Sequence, residues 1–289
     1  MDERPQSAPL PWDETQSLSW LGQLQEREAS LVPVLDALLE RADLRPGERV
    51  LDVGCGAGPS TLAAARFVGT GGRVTGLDVS ASMLTAARER SAAVLRPDLD
   101  APVDWLLADA QTCSWPDRYD VLVSRFGVMF FADPEAAFAN LAAACVDGGR
   151  LVMTVWPHRS ESEWFSRPLE VVRGTLARHG VQMTVPPADG GPFSLGDVER
   201  LTSLLTATGW RDVDVRRDGR MLYHGGAGAS DLTAMESLLG IGPIRAAVEG
   251  QPAELVDAVR QDLLRACAEW RSDHGVGLVA GFLLVSARR

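Results

Sequence analysis

The sequence predicts an α/β protein built on a doubly wound parallel sheet. Three observations carry that prediction. Between residues 49 and 156, short apolar runs alternate with stretches of helical pattern, the rhythm of βαβ units. The apolar runs are nearly continuous, as in strands covered by helices on both faces. The first of them leads into "DVGCGAGPS" (52–60), three glycines spaced G-x-G-x-G ahead of a helix start. Sheets of this kind bind ligands at that turn.

The elements follow in order. Residues 1–15 are polar and proline-rich and read as a flexible tail. Residues 17–44 repeat apolar side chains at helical spacing, with Pro33 marking a break or a helix start. After a turn at 45–48, strands are expected at 49–54, 73–79, 103–110, 119–127 and 149–156. Helices are expected at 58–68, with a proline suited to the first turn, at 80–95, with serine at the cap, and at 133–146, capped by Asp133. The rhythm then changes. Residues 157–193 are irregular with one helix-like stretch, and a helix is expected at 195–210. A strand of open direction is expected at 211–224, more helix across 230–272, and a final buried strand to the end. The chain reads as one domain over 16–289, with 16–44 as a helical lid, 45–156 as a ligand-binding core, and 157–193 and 225–272 as additions laid over one sheet.

Net charge is −11, and all 28 basic residues are arginine, without a basic run. An acidic surface repels phosphate backbones, which argues against a nucleic-acid partner. The four cysteines are scattered and form neither a metal-site spacing nor a disulfide framework. No apolar run reaches the ~20 residues of a membrane span, and the start lacks a signal-peptide pattern. A cytoplasmic protein with reduced thiols is expected.

The glycines at 54, 56 and 58 give a ligand close access to backbone, beside the free N–H groups of a helix N-terminus. A dinucleotide site would read G-x-G-x-x-G. Here Asp52 precedes the turn, and a carboxylate there suits a cation better than a pyrophosphate. Asp78 ends the second strand where a ribose-binding acid belongs. A ribose with free hydroxyls plus an ammonium group describes S-adenosylmethionine, and Asp109, ending the third strand, suits its adenine amino group.

The stretches "VLDVGCGAG", "GLDVSASML", "ADA" and "YDVLVSRFGVMFFADPEAAFANLAAACVDGGRLVMTVW" resemble the successive motifs of class I S-adenosylmethionine-dependent methyltransferases. They look most like the branch related to ubiquinone and menaquinone biosynthesis enzymes, which includes many bacterial small-molecule methyltransferases. The resemblance runs from about Trp20 to the C-terminus and is weakest over 157–275. It implies a Rossmann-like seven-stranded sheet whose last strand is antiparallel, an N-terminal helical lid and helical insertions after strand five. It also implies that Asp52, Gly54, Gly56 and Gly58 face the methionine moiety and Asp78 the ribose. Val79 and Met83 would pack on the adenine, Asp109 and Ala110 would line its edge, and Ser124 would lie by the sulfonium.

Methyl transfer from a sulfonium is chiefly a matter of alignment and water exclusion, so no catalytic side chain is obligatory. Strand ends four and five and the N-terminal helices offer the acceptor pocket: Trp20, Arg125, Phe126, Met129, Phe130, Trp156 and Trp164. His158, just after strand five, is the candidate proton acceptor. Tyr223 and His224 end the strand of open direction. The fourth strand ends "SRFG", not in the Asn-Pro-Pro-Tyr type used on nucleobase and glutamine amines, and no carboxylate cluster suggests magnesium. A metal-independent enzyme acting on a small aromatic metabolite of a specialised pathway is expected. Carbon methylation of an electron-rich ring such as an indole is one case. Oxygen or nitrogen methylation with His158 as base is the alternative. A nicotinamide oxidoreductase and a non-catalytic protein that keeps the fold are the rival classes. Relatives in the family often form dimers, and the sequence does not decide between monomer and homodimer.

Overall fold

The computed structural model describes residues 13–115, 117–184 and 191–289. Most of the tail expected over 1–15, and loop positions 185–190, lie outside the described residues. Five parallel strands form the centre: β1 (Arg49–Val53), β2 (Arg73–Asp78), β3 (Val103–Leu107), β4 (Tyr119–Arg125) and β5 (Cys145–Val155). With β6 (Arg211–Tyr223) and β8 (Gly275–Arg288) they are ordered β3-β2-β1-β4-β5-β8-β6, and a two-residue β7 (Arg271–Ser272) pairs with β8. The last strand is inserted antiparallel to both neighbours. β6 therefore runs in the same direction as the central strands. That settles the direction left open by the sequence and puts Tyr223 and His224 at the carboxyl end of the sheet.

The crossover helices are α3 (Pro59–Val68), α4 (Ala81–Val94) and α5 (Pro134–Ala144). Ser80 and Asp133 cap α4 and α5 through their side chains, as serine and aspartate do when they satisfy free first-turn amides. The expected 17–44 helix is two helices, α1 (Glu14–Leu21) and α2 (Leu24–Ala42). The break falls at Gly22 and Gln23, and Pro33 lies inside α2. α1 starts earlier than expected because Asp13 and Gln16 form a reciprocal capping box.

α2 crosses β4, β5 and β6 and is fixed at both ends. At the amino end of the sheet, Arg150 donates to the carbonyls of Ala42 and Asp43 while paired with Glu48. At the carboxyl end, the Ser30 hydroxyl donates to the Tyr223 carbonyl at 2.7 Å.

The additions are α6 (Glu163–Arg178), α7 (Val198–Ala207), α8 (Asp231–Leu239), α9 (Gly242–Val248) and α10 (Ala253–Glu269). The helical stretch expected over 230–272 is thus three helices, interrupted at Gly240 and Pro252. Among the described residues there are two apolar cores. The larger lies on the sheet and includes Leu38, Leu51, Leu122, Phe138, Cys145 and Trp210. The smaller joins α6, α8, α9 and α10 to the start of β8 through Leu176, Leu238, Leu263, Cys267 and Val276. Phe165 packs against both. Among the described residues no helix is long and apolar enough to cross a membrane.

Candidate cofactor and acceptor site

The three glycines of the first turn all have positive φ, yet they meet different surroundings. A Cβ on Gly54 would lie 2.7 Å from the Gly127 Cα, and one on Gly58 would lie 2.5 Å from the Trp105 ring. A Cβ on Gly56 would meet nothing within 4 Å. Two of the three glycines are therefore required by the protein's own packing, and only Gly56 borders open space. Trp105, on β3, also lies across Gly76 on β2, a packing role that the sequence did not reveal.

Asp78 binds this turn to the next. It is buried, and its carboxylate accepts from the Gly56 amide at 2.8 Å and the Ser80 amide at 2.9 Å. Each oxygen keeps acceptor capacity for a further donor. Burial raises its pKa, against the lowering effect of those amides. Glu14 of α1 reaches over to accept from the Ser80 hydroxyl and the Ser82 amide, latching the N-terminal helix onto α4. Beside Asp78, Val79 and Leu107 are apolar and about half exposed at the ends of β2 and β3. Met83, in the first turn of α4, is buried.

Asp109 is not free. Its carboxylate accepts from the Gln111 amide and from the Gln111 side chain, and Asn140 of α5 donates to the carbonyls of Ala110 and Cys113. Ser124 is likewise occupied, donating to the Val53 carbonyl at 2.7 Å and tying β4 to β1. Gln111 and Asn140 were missed in the sequence because their partners, the Asp109 carboxylate and two carbonyls, are brought to them by the loop after β3.

Asp52 is fully buried. One oxygen accepts from Ser60 and Thr61 of α3 at 2.7 and 2.6 Å, and the other, Oδ1, has no partner. Burial pushes its pKa up to about 6, opposed by those hydroxyls and by Arg125. Arg125 ends β4 and donates through Nη2 to both oxygens of Glu28 on α2, at 2.8 and 2.7 Å, while its Nη1 has no partner. Asp52 pairs in register with Val123, and Arg125 with Thr154. Strand alternation then puts Asp52, Arg125 and Thr154 on one sheet face. The Thr154 hydroxyl, the Ser162 hydroxyl and both nitrogens of His224 are also buried without partners. Apart from three arginine Nε atoms, every such atom among the described residues lies at the carboxyl end of the sheet or just beyond it. A cleft of about 490 Å³ opens nearby between α2 and α4, lined by Leu24, Gln25, Glu28 and Arg90. Arg90 donates to the Ala57 carbonyl, so this cleft adjoins the glycine turn.

The aromatic candidates come together in a chain of contacts. Phe126, at φ +63°, turns the strand end and stacks on Trp156 with centroids 3.9 Å apart. Trp156 meets Phe165 edge-on, and Phe165 meets Phe193. Met129 is buried, its sulfur accepting from the Trp156 amide. Phe130 is half-buried against the same core. Trp20, on α1, lies under the Arg27 guanidinium and packs against the larger core. Trp164 stacks flat on the buried His224 at 3.6 Å.

His158 is placed differently from His224. It is exposed, and its Nδ1 engages Ser160 to cap a short 3-10 turn. The histidine that sits inside the protein at the carboxyl end is His224, whose pKa burial pushes down to about 3, so it is neutral at pH 7. The sequence placed it on a strand of unknown direction, and only the antiparallel insertion of β8 fixes that direction.

Residues 50–149 match a methyltransferase domain family. The chain is 34% identical over 124 residues to aklanonic acid methyltransferase DauC of Streptomyces, covering 42% of this chain and 54% of that one. It is 32% identical over 116 residues to the ubiquinone/menaquinone C-methyltransferase UbiE of Shewanella halifaxensis, covering 40% and 45%. It is 32% identical over 187 residues to nocamycin O-methyltransferase of Saccharothrix syringae, covering 63% and 65%. The matched stretch thus spans about half to two thirds of these curated relatives. In fold it resembles the YcgJ protein of Bacillus at a TM-score of 0.54 and 14% identity, over 88% of this chain and 97% of that one. The domain match, the sheet order and the glycine turn agree, so residues 50–149 carry a methyltransferase-like domain.

Proposed function

We propose that this protein transfers a methyl group from S-adenosylmethionine to a small, largely aromatic acceptor in a natural-product pathway, by carbon methylation of an electron-rich ring such as an indole. One observation carries the reading: Asp52 Oδ1 and Arg125 Nη1, both buried and without partners, lie on one face at the carboxyl ends of neighbouring strands β1 and β4, ahead of the glycine turn. Buried polar groups are nearly always hydrogen-bonded, so a cluster of orphans marks where a polar ligand sits. The chain's residues fit the cofactor. Gly56 leaves room for it, Asp52 offers an unpartnered acceptor to its ammonium group, Asp78 has acceptor capacity for its ribose, and Val79 and Leu107 offer apolar surface to its adenine. When bound, the cofactor supplies a methyl group already activated by the sulfonium. The protein's part is to bind, align and keep out water. α1, latched through Glu14, and α2, held through Glu28, cover the site. Phe126, Trp156 and Phe165 give the acceptor a flat apolar wall. Relatives named for aklanonic acid and nocamycin support a natural-product acceptor.

A second reading, oxygen or nitrogen methylation, is favoured by His224. A neutral imidazole keeps one N–H donor and one acceptor nitrogen, both unpartnered here, so it can hold and orient a hydroxyl or amine by hydrogen bonding. Burial makes it too weak a base to take the proton outright, and in this reading His224 orients the acceptor while the proton leaves to another group or to solvent.

Calorimetry with S-adenosylhomocysteine, and with NADH as control, tests the cofactor. Binding of the first alone is expected. Gly56→Val should abolish it while leaving the protein folded. Binding of NADH alone, or full affinity in folded Gly56→Val, would overturn the reading. Indoles, phenols and amines can then be screened for methyl transfer, and the mass-shifted product identifies the acceptor atom.

A further inference from the structure

We propose that a second copy of this chain docks on the outer edge of β6, the two β6 strands pairing antiparallel about a twofold axis at Arg217. β6 ends the sheet order, and among the described residues no strand pairs with its outer side. It is long for an edge, with 13 residues from Arg211 to Tyr223. A bulge interrupts its start, where Asp212 has φ +50°, but from Asp214 onward its register with β8 is unbroken. A long, regular edge is a template for another strand unless something blocks it. Charged side chains commonly do so. Here they alternate in sign, which reverses their effect on one particular partner.

Asp214, Arg216, Asp218 and Arg220 share one face of β6, because alternate residues of a strand do. Their side chains are between 26% and 63% exposed. Read backwards, acid-base-acid-base becomes base-acid-base-acid. A twofold axis at Arg217 therefore sets Asp214 opposite the partner's Arg220 and Arg216 opposite the partner's Asp218, and the reverse. An axis at Arg216 or at Asp218 would set like charges opposite each other, and so would in-register parallel pairing. Opposite charges across a strand pair stabilise it and like charges oppose it, so the pattern selects one register. Within one copy, Asp214 already pairs with Arg216 and Asp218 with Arg220. The dimer joins these short pairs into one network. On the other face, Arg217 meets the partner's Arg217 at the axis, and Glu161 of its own chain, 2.9 Å away, offsets its charge. That face also carries Met221 and its β8 neighbour Val279, 46% and 41% exposed, apolar surface beside the join. Such pairing is isologous and closes at two copies. Because β6 runs with the central strands, the carboxyl ends of the two sheets point opposite ways. The two candidate sites then open on opposite sides, and neither blocks the other.

Sedimentation velocity of the full chain across the micromolar range should show a dimer in equilibrium with monomer. Asp218→Arg turns two attractive pairs of each dimer into repulsive ones and should raise the dissociation constant about tenfold or more. The double exchange Arg216→Asp/Asp218→Arg makes those pairs opposite again in the same register and should restore the dimer. Such rescue separates pairing across the axis from damage to β6, and circular dichroism verifies each fold. Arg217→Cys, on the axis, should form a disulfide between copies under mild oxidation, because directly opposed residues of an antiparallel pair lie within disulfide reach. Met221→Cys, far from its own symmetry mate, should not, and the wild type controls for the native thiols. A monomeric wild type, a dimer indifferent to Asp218→Arg, a folded double variant that stays monomeric, or a disulfide through Met221→Cys in place of Arg217→Cys would overturn the proposal.

Discussion

At the residue scale, Asp52 and His224 make opposite predictions about pH. The Asp52 pKa is raised to about 6, so it loses its charge as pH falls below that value, and with it its attraction for an ammonium group. The affinity for S-adenosylhomocysteine should therefore fall between pH 7 and pH 5, by up to about tenfold per pH unit. Asp52→Asn should bind weakly and lack that pH dependence, which calorimetry at three pH values would show. In the ligand-free protein the sign reverses. A carboxyl whose folded pKa is raised favours folding at low pH and loses that contribution as pH rises from about 4 to about 6. Asp52→Asn should thus be more stable at pH 7, by about 1–3 kcal/mol in urea unfolding. His224 is depressed to about 3, so its contribution is present above pH 6.5 and is lost as pH falls towards 3. Between pH 7 and pH 5 the wild type should lose about 2 kcal/mol more than His224→Phe, which keeps the stack on Trp164. Equal losses in urea titrations would mean that His224 is solvated. Residue types at strand ends were readable in the sequence: Asp52, Asp78 and the glycines follow from chemistry and order. Their partners were not. The bond from Ser124 to Val53 depends on which strand lies beside β4, and that from Gln111 to Asp109 on loop geometry, and neither leaves a periodic trace.

At the scale of elements, α1 is a helix of only eight residues. It is held to α4 by Glu14, whose carboxylate is kept below its usual pKa by the bonds to Ser82 and Ser80. An exposed contact of this kind adds little to global stability but decides whether a short helix stays docked. Glu14→Ala should leave the thermal midpoint unchanged, speed proteolytic cleavage between residues 13 and 23, and raise the dissociation rate of S-adenosylhomocysteine severalfold. Unchanged protection in a timed digest would show that α1 is held by packing alone. α1 and α2 were legible together as one helical stretch, because apolar spacing survives a two-residue turn. The position of the break was misread. Pro33 drew the attention, but the break falls at Gly22 and Gln23, next to the cap that Asp13 and Gln16 build.

At the scale of the whole molecule, the parallel half of the sheet was plain in the sequence, since each strand is followed by its helix. The far half was not, because β6 and β8 are paired across the intervening helices and their register depends on that distant partner. The two cores meet at Phe165 and along β8. Leu263 is fully buried in the smaller one, and Leu263→Ala should cost about 2–5 kcal/mol. If the additions open as a unit, hydrogen exchange should rise in α6, α8 and α10 well before β1 or β4. A uniform rise across all strands would mean that the two cores unfold together. The thiols offer a clock for the same event. Cys55 is buried at the glycine turn, Cys145 in the larger core and Cys267 in the smaller, while Cys113 is only partly covered. The native protein should thus consume one equivalent of a thiol reagent quickly and three slowly. The order in which Cys267 and Cys145 are labelled then dates, residue by residue, which half of the protein comes apart first.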